Sequence, residues 1–195
     1  MTPDRQGEVL SAVRDLVREF GYEALTMDAV AARAKISKAT LYRLWGGKSG
    51  LVIDAVRHFA PPEPPVKDGE SLAEALAEIR AHPAESDADA AQRELLVGLM
   101  HAVATDADFG AAVRESLIAP GVQRIVGVFE RAASRGEIPN NPGLFRELAV
   151  TMIARFSYDL IIVGGGDDAT ALYPDPDIFL DCVLAPALGL AGSVR

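Results

Sequence analysis

The sequence has few of the residues that covalent or metal chemistry needs. Its 195 residues include one cysteine, Cys182, so no internal disulfide can form, and we interpret it as a small apolar residue in a reducing compartment. The three histidines, His58, His82 and His101, are too far apart to suggest a zinc site. No serine lies in a Gly-x-Ser-x-Gly motif, and no nucleophile can be paired with a base. The sequence therefore predicts no catalytic residue, no metal and no cofactor.

Long apolar runs and a secretion signal are also missing. The most apolar stretch, residues 148–163, is interrupted by Arg155 and Asp159 and falls short of the roughly 18 apolar residues that a membrane helix needs. Residues 1–6 lead into an amphipathic pattern rather than into an apolar run with a cleavage site. We therefore expect a cytoplasmic protein with no membrane partner.

Strand patterns are absent, and helix signals take their place. Alternating apolar and polar runs of strand length do not occur, and no internal repeat is detectable. Thr2, Thr26 and Ser37 each stand at a position suited to a helix N-cap, before predicted helices that begin at residues 3, 27 and 38. Gly46-Gly47 precedes a fourth helix, expected from about residue 48 to 59. The predicted fold class is all-α.

Four prolines between residues 60 and 65 cannot continue a helix and mark a domain boundary. We predict an amino-terminal helix-turn-helix module over 1–60, a proline-rich linker over 61–70, and a larger helical domain over 71–195 for ligand binding and dimerisation.

Capping signals divide the larger domain into helices. Ser71 with Glu74, and Ser86 with Asp89, each form a capping-box pattern. Pro120 separates helical stretches over 109–118 and 121–135, which can also be one bent helix. A long helix is expected over 142–163 and a last one over 176–188.

The net charge of −9 conceals an uneven distribution of charge. Residues 1–60 carry a net charge of +2 and the remainder −11. The segment 33–48, which we call the basic segment, holds five cations and no acid: Arg33, Lys35, Lys38, Arg43 and Lys48. Such a segment can match a phosphate backbone, although a solvated basic face on a structural helix pair is the alternative.

The layout of residues 26–45 favours DNA binding over that alternative. It provides a short helix, a tight turn and a second helix with small and polar residues at its leading end, as a helix-turn-helix requires. On the second helix, Leu41, Leu44 and Trp45 are assigned to the core. The positions available to DNA are Lys38, Ala39, Thr40, Tyr42 and Arg43. We expect Lys38 or Arg43 to pair with guanine, Thr40 to reach base edges, and Ser37, Tyr42 and Lys48 to meet phosphates.

The run from Ala29 to Trp45, AVAARAKISKATLYRLW, followed by Lys48, resembles the tetracycline-repressor (TetR) family. Phe20-Gly21-Tyr22 and Thr26 fit as well, and the match covers about residues 8–58. The DNA-contacting positions that the resemblance implies are Thr26, Ser37, Lys38, Thr40, Tyr42 and Lys48. It further implies a homodimer built on the last two long helices, and a double-stranded DNA operator released by a small-molecule effector.

Two features depart from the family pattern. Lys35 occupies a turn position where the family often has glycine, and Trp45-Gly-Gly-Lys48 replaces its commoner aromatic-Pro-Ser-Lys. A lysine with positive φ would cost on the order of 1 kcal/mol, while its side chain is available for a phosphate. Lys35 therefore joins the predicted DNA-binding positions.

We expect the effector between helices of the larger domain, where bulky apolar side chains mix with a few polar ones. The candidate residues are Met100, His101, Phe109, Arg114, Phe129, Arg155, Phe156 and Tyr158. The sequence thus predicts a homodimeric repressor rather than an enzyme. Its alternative is a helical adaptor that senses a small molecule without sequence-specific DNA contact.

Overall fold

The computed structural model is helical throughout the residues that it describes. These are residues 1–60, 70–81, 87–158 and 176–190, with side chains described for 1–60, 70–77, 94–155 and 178–190. No strand occurs in these ranges, which agrees with the predicted all-α fold. No helix within them is long and apolar enough to span a membrane.

The described residues form eleven α-helices and two π-helical turns. In chain order they are α1 (Pro3–Ala24), α2 (Met27–Arg33), α3 (Lys38–Trp45), α4 (Lys48–Phe59), α5 (Leu72–Ala81), α6 (Asp87–Thr105), α7 (Ala107–Val113), π1 (Arg114–Ile118), α8 (Ala119–Ser134), α9 (Pro142–Tyr158), α10 (Pro176–Phe179), π2 (Leu180–Leu184) and α11 (Ala185–Ala187). The predicted N-caps are confirmed, since the hydroxyls of Thr2, Thr26 and Ser37 each accept a backbone N–H at a helix start. Gly21 breaks α1, as predicted, but a further turn follows to Ala24.

One compact unit comprises Met1–Pro61 and Ser86–Ala119. Helices α1 to α4 supply most of its core, and α6 and α7 complete it with Leu95, Leu99, Ala102 and Phe109. Glycines allow close approach here: a Cβ at Gly98 of α6 would lie 2.7 Å from a Val17 methyl of α1. The amino-terminal helices therefore share their core with later ones, while the domain limits drawn from the sequence stay a prediction.

The second unit comprises Pro62–Glu85 and Pro120–Arg195. Its core joins α5, α8, α9 and the last helix, by which we mean the continuous run α10–π2–α11 (residues 176–187). The rings of Phe129 and Phe145 lie 5.7 Å apart in this core. The Ser71–Glu74 capping box is confirmed, because each residue's side chain accepts the other's backbone N–H. The proline-rich stretch at 61–69, the Ser86 cap and residues 159–163 lie outside the described residues.

The stretches around Pro120 form one continuous helical run, α7–π1–α8. Pro120 has no N–H, so it cannot donate to the carbonyl of Ser116 four residues earlier, and the backbone shifts to π hydrogen bonding there. Arg57 of α4 donates to that Ser116 carbonyl at 2.6 Å. The arginine therefore satisfies a helix carbonyl that the proline leaves open.

Candidate nucleic-acid interface

Hydroxyl caps fix the starts of α2 and α3. The Thr26 hydroxyl accepts the Ala29 N–H at 3.1 Å, and the Ser37 hydroxyl accepts the Thr40 N–H at the same distance. Gly46 then ends α3 in the left-handed conformation, with φ 73°. Helix α3 is therefore a two-turn helix with both of its ends defined by local sequence.

The turn between α2 and α3 is a Schellman motif with a lysine at the left-handed position. Ile36 N–H donates to the Ala31 carbonyl at 3.0 Å, and Lys35 N–H to the Ala32 carbonyl at 3.4 Å. Lys35 has φ 50° and is the only non-glycine with positive φ among the described residues. The conformation anticipated for Lys35 is therefore present, with its cost on the order of 1 kcal/mol.

The core face of α3 differs from the predicted one at a single residue. Leu41 is fully buried, and Trp45 packs against the core while its indole N–H donates to Asp54 at 2.9 Å. The assignment of Leu44 to the core is wrong, since this side chain is 41% exposed. Relative to Leu41, Trp45 lies about 40° around the helix and Leu44 about 60° to the other side, and the core lies on the Trp45 side.

The predicted DNA-binding positions lie close together along one short segment. Those that are exposed are Thr26, Lys35, Ser37, Lys38, Ala39, Tyr42 and Arg43, while Thr40 and Lys48 are half-buried. Tyr42 keeps 47% of its surface exposed on α3, which is unusual for a large ring without a partner. The amino-terminal end of α3 therefore presents exposed side chains that are free to enter a DNA groove.

Acids from neighbouring helices pair with two cations of the basic segment. Arg33 makes a forked contact with Glu19 at 3.1 and 2.9 Å, which lowers the pKa of the Glu19 carboxyl. Lys38 donates to Asp28 at 2.8 Å, and this hydrogen bond raises the pKa of Lys38. Lys35 and Arg43 have no ion pair among the described residues. Sequence inspection missed Asp28, because it lies ten residues from Lys38 across the turn.

Lys48, at the start of α4, is folded against an aromatic side chain. Its ammonium lies 3.9 Å from the centre of the Tyr22 ring and donates to the Glu23 carbonyl at 3.3 Å. Burial lowers the pKa of Lys48 and raises that of Tyr22. Tyr22 in turn stacks on Phe109 at 4.1 Å. Core aromatics thus place the Lys48 charge beside the start of α4.

The residues predicted to bind an effector are divided between the two units. Phe109, fully buried, belongs to the first unit with the exposed Met100, His101 and Arg114, whereas Phe129 and Arg155 belong to the second. The side chains of Phe156 and Tyr158 lie outside the described residues. The ligand-binding assignment stays a prediction.

Fold and site together define a helix-turn-helix DNA-binding protein of the transcription-regulator class. The family described as "Bacterial regulatory proteins, tetR family" matches residues 9–55, and "Tetracyclin repressor-like, C-terminal domain" matches residues 66–173. The chain therefore belongs to the tetracycline-repressor (TetR) family of DNA-binding transcriptional regulators.

Individual relatives agree with this assignment. The uncharacterized HTH-type transcriptional regulator YdeS of Bacillus subtilis is 30% identical over 159 residues, covering 80% of this chain and 78% of that protein. The DNA-binding transcriptional repressor TetR of Mycobacteroides abscessus is 31% identical over 161 residues, covering 81% and 82%. The solved structure of Salmonella enterica GusR has the same fold, with a TM-score of 0.63 at 21% identity, over 97% of this chain and 98% of that one. These matches are to regulators and not to enzymes.

Proposed function

We propose that the protein is a homodimeric repressor that a small-molecule effector releases from a pseudo-palindromic operator. The observation that carries the proposal is the open leading end of α3, capped by Ser37 and followed by exposed Lys38, Ala39, Tyr42 and Arg43. A helix of this kind enters the major groove with its amino-terminal residues toward the bases.

Each exposed group suits a particular part of DNA. Arg43 suits guanine O6 and N7, as Lys38 does once it leaves Asp28, and Thr40 suits several bases. Ser37, Tyr42, Thr26 and Lys35 suit phosphate oxygens, and Lys48 adds its charge to the free N–H groups at the start of α4. Phosphate contacts then set the register, and the Lys38, Thr40 and Arg43 contacts set the sequence.

The dimer is proposed to form through the second unit. Val150 of α9 and Ile178 and Val183 of the last helix are large apolar residues that remain 47–48% exposed. Apolar surface on these two helices favours a second copy of the chain as the partner. Two copies of α3 would then reach successive major grooves roughly 34–36 Å apart.

Release requires an effector that prefers one arrangement of the dimer. A ligand with equal affinity for the DNA-competent arrangement and for one with poor half-site spacing would release nothing. The Mycobacteroides abscessus relative is described as a repressor, which supports repression rather than activation. We place the effector among helices of the larger domain.

The test is binding of the purified protein to its own upstream intergenic DNA at two salt concentrations. We expect saturable, sequence-dependent binding that weakens with salt and is lost in the Tyr42→Ala, Lys48→Ala double variant. The control, Arg131→Ala, also removes one cation, from an exposed position on α8, and should bind as the parent does. Binding that ignores sequence, or that survives the Tyr42 and Lys48 changes, would contradict the proposed interface.

The complex then serves as the assay for the effector. Small molecules are added to the protein–DNA complex, and release of the DNA is measured by fluorescence anisotropy. A compound that releases the DNA should bind the free protein more tightly than the complex by the same factor. If no compound changes operator affinity, the effector-release part of the proposal fails while the DNA-binding part stands.

A further inference from the structure

The turn between α2 and α3 adopts a conformation that its own residue does not favour. Among the described residues, two other helix ends show the same pair of hydrogen bonds, and there the left-handed residue is Gly136, with φ 77°, or Gly189, with φ 74°. Glycine visits this region freely, whereas a lysine prefers negative φ. At Lys35 the same conformation costs on the order of 1 kcal/mol, so a contact from outside the turn that favours it would stabilise the turn.

That outside contact comes from the first turn of α1. The Arg5 guanidinium donates through one nitrogen to the Ala34 carbonyl at 2.5 Å and to the Lys35 carbonyl at 3.0 Å. Its other terminal nitrogen pairs with Glu8. The Thr2 hydroxyl accepts the Arg5 N–H at 3.4 Å, so the helix start that carries the arginine is itself capped.

The chemistry suits a lasting contact. Carbonyls at the carboxyl end of a helix lack intrahelical donors and carry partial negative charge, which a guanidinium matches in both respects. Glu8 holds the guanidinium in place from the other side, so less rotamer freedom is lost when the two carbonyls are engaged.

We propose that Arg5 is a positioning residue for DNA recognition, which holds Lys35 in the left-handed conformation and thereby sets the direction of α3. A rotation about φ of Lys35 would redirect Ser37 and every α3 side chain that follows it. On this proposal Arg5 contacts the backbone of the turn and does not contact a DNA phosphate.

The test is a double-mutant cycle between Arg5→Met and Lys35→Gly, read out as affinity for the upstream intergenic DNA over a salt series. In the parent background Arg5→Met should lower affinity about tenfold, as expected if the DNA-competent turn falls to about a tenth of the population. With glycine at position 35 the same change should cost less than about twofold, because glycine needs no external support. In either background, the Arg5→Met change should leave the dependence of affinity on salt as it was.

An equal loss in both backgrounds would overturn the proposal. If the salt slope also fell by about one, Arg5 would instead be a phosphate contact. Absence of any loss would overturn it as well. Arg18→Met is the matched control, since Arg18 lies on the same helix and pairs with Glu94 at 3.4 Å, away from the turn.

A second readout needs no DNA. The Ile36 amide, which donates to Ala31 across the turn, should exchange with solvent at least about tenfold faster in Arg5→Met and return to the parent rate when Lys35→Gly is added. An unchanged exchange rate of the Ile36 amide in Arg5→Met would overturn the proposal. This readout does not require that the upstream DNA contain an operator. If Arg5→Met does not fold, Arg5→Lys keeps the charge without the planar fork and should show the same pattern with a smaller loss.

Discussion

At the scale of single residues, the basic segment is less positive than its sequence indicates. Two of its five cations are paired with acids from other helices, Arg33 with Glu19 and Lys38 with Asp28. Exposed pairs of this kind contribute little to stability. Their larger effect is on DNA, because an acid beside a recognition cation has to be displaced or repelled before that cation meets a base or phosphate.

Asp28→Asn should therefore raise DNA affinity. The change removes a negative charge at 2.8 Å from Lys38 and leaves that cation available, so we expect about threefold tighter binding, on operator and on unrelated DNA alike. Fluorescence anisotropy on both DNAs measures it. Glu115→Gln, the same charge change at an exposed site on π1, is the control. Weaker operator binding would instead assign Asp28 a direct DNA contact.

Lys35→Gly should make the protein more stable. Relief of the left-handed lysine outweighs the extra freedom of glycine in the unfolded chain, for a net gain of about 0.5–1 kcal/mol. Urea unfolding checks the sign. Gly136→Ala, at the equivalent turn after α8, should lose about 1 kcal/mol for the reverse reason. A less stable Lys35→Gly variant would show that packing has removed the strain.

At the scale of elements, Gly50 sets how closely α4 can follow α3. A Cβ on Gly50 would lie 2.3 Å from the Trp45 carbonyl oxygen, which is backbone and cannot rotate away. The start of α4 carries Lys48, so any shift there moves a predicted phosphate contact. A small residue in α4 is therefore a condition for the geometry of the interface.

Gly50→Ala should lower stability by about 1–3 kcal/mol, although alanine is the better helix former. Operator affinity should fall with it, because the start of α4 has to shift. Gly143→Ala is the matched control, since its Cβ would meet only Asn141 at an ordinary 3.7 Å and should stabilise α9 by about 0.5–1 kcal/mol. Thermal unfolding distinguishes the two signs, and a stabilised Gly50→Ala would mean that the helices separate easily.

Glu137 links the end of α8 to the start of α5. Its carboxylate accepts Arg135 and the backbone N–H of Leu72, at 2.5 and 2.7 Å, and these bonds lower its pKa. A lowered pKa stabilises the fold above the ordinary carboxyl range, and the contribution is lost as pH falls through the folded-state pKa. The melting temperature of the parent should exceed that of Glu137→Gln at pH 7 and converge with it as the pH falls below the ordinary carboxyl range and through the lowered folded-state pKa. A gap that widens on acidification would contradict this.

Helix starts and ends were predictable because they depend on neighbouring residues. The hydroxyls of Thr26 and Ser37 accept backbone N–H groups three residues further along the chain, and Ser71 with Glu74 forms its capping box within a single turn. The exposure of Leu44 and the Asp28–Lys38 pair depend on how α2, α3 and the core meet, which no local pattern specifies. For the same reason the sequence did not indicate that Phe109 would pack on Tyr22.

At the scale of the whole molecule, charge is unevenly distributed along the chain. The amino-terminal 60 residues carry +2 and the rest −11, so acidic surface discourages DNA from binding elsewhere. The half-exposed apolar residues of α9 and the last helix lie in the acidic part. This distribution of charge suits a regulator that binds DNA through its amino-terminal residues and, as proposed above, a second copy of itself through α9 and the last helix.

Val150→Asp should produce a monomer that binds its operator poorly. The proposed interface has to bury on the order of 1,200–2,000 Å² in total, and a carboxylate within its apolar part would lose its hydration without a partner. Val97→Asp is the control, since Val97 is similarly exposed, at 53% against 47%, but lies on α6 in the first unit. Sedimentation equilibrium should give a dimer for the parent and Val97→Asp and a monomer for Val150→Asp. Because a monomer reaches only one half-site, operator affinity should fall far more than affinity for unrelated DNA. If Val150→Asp is still a dimer, the interface lies on another face.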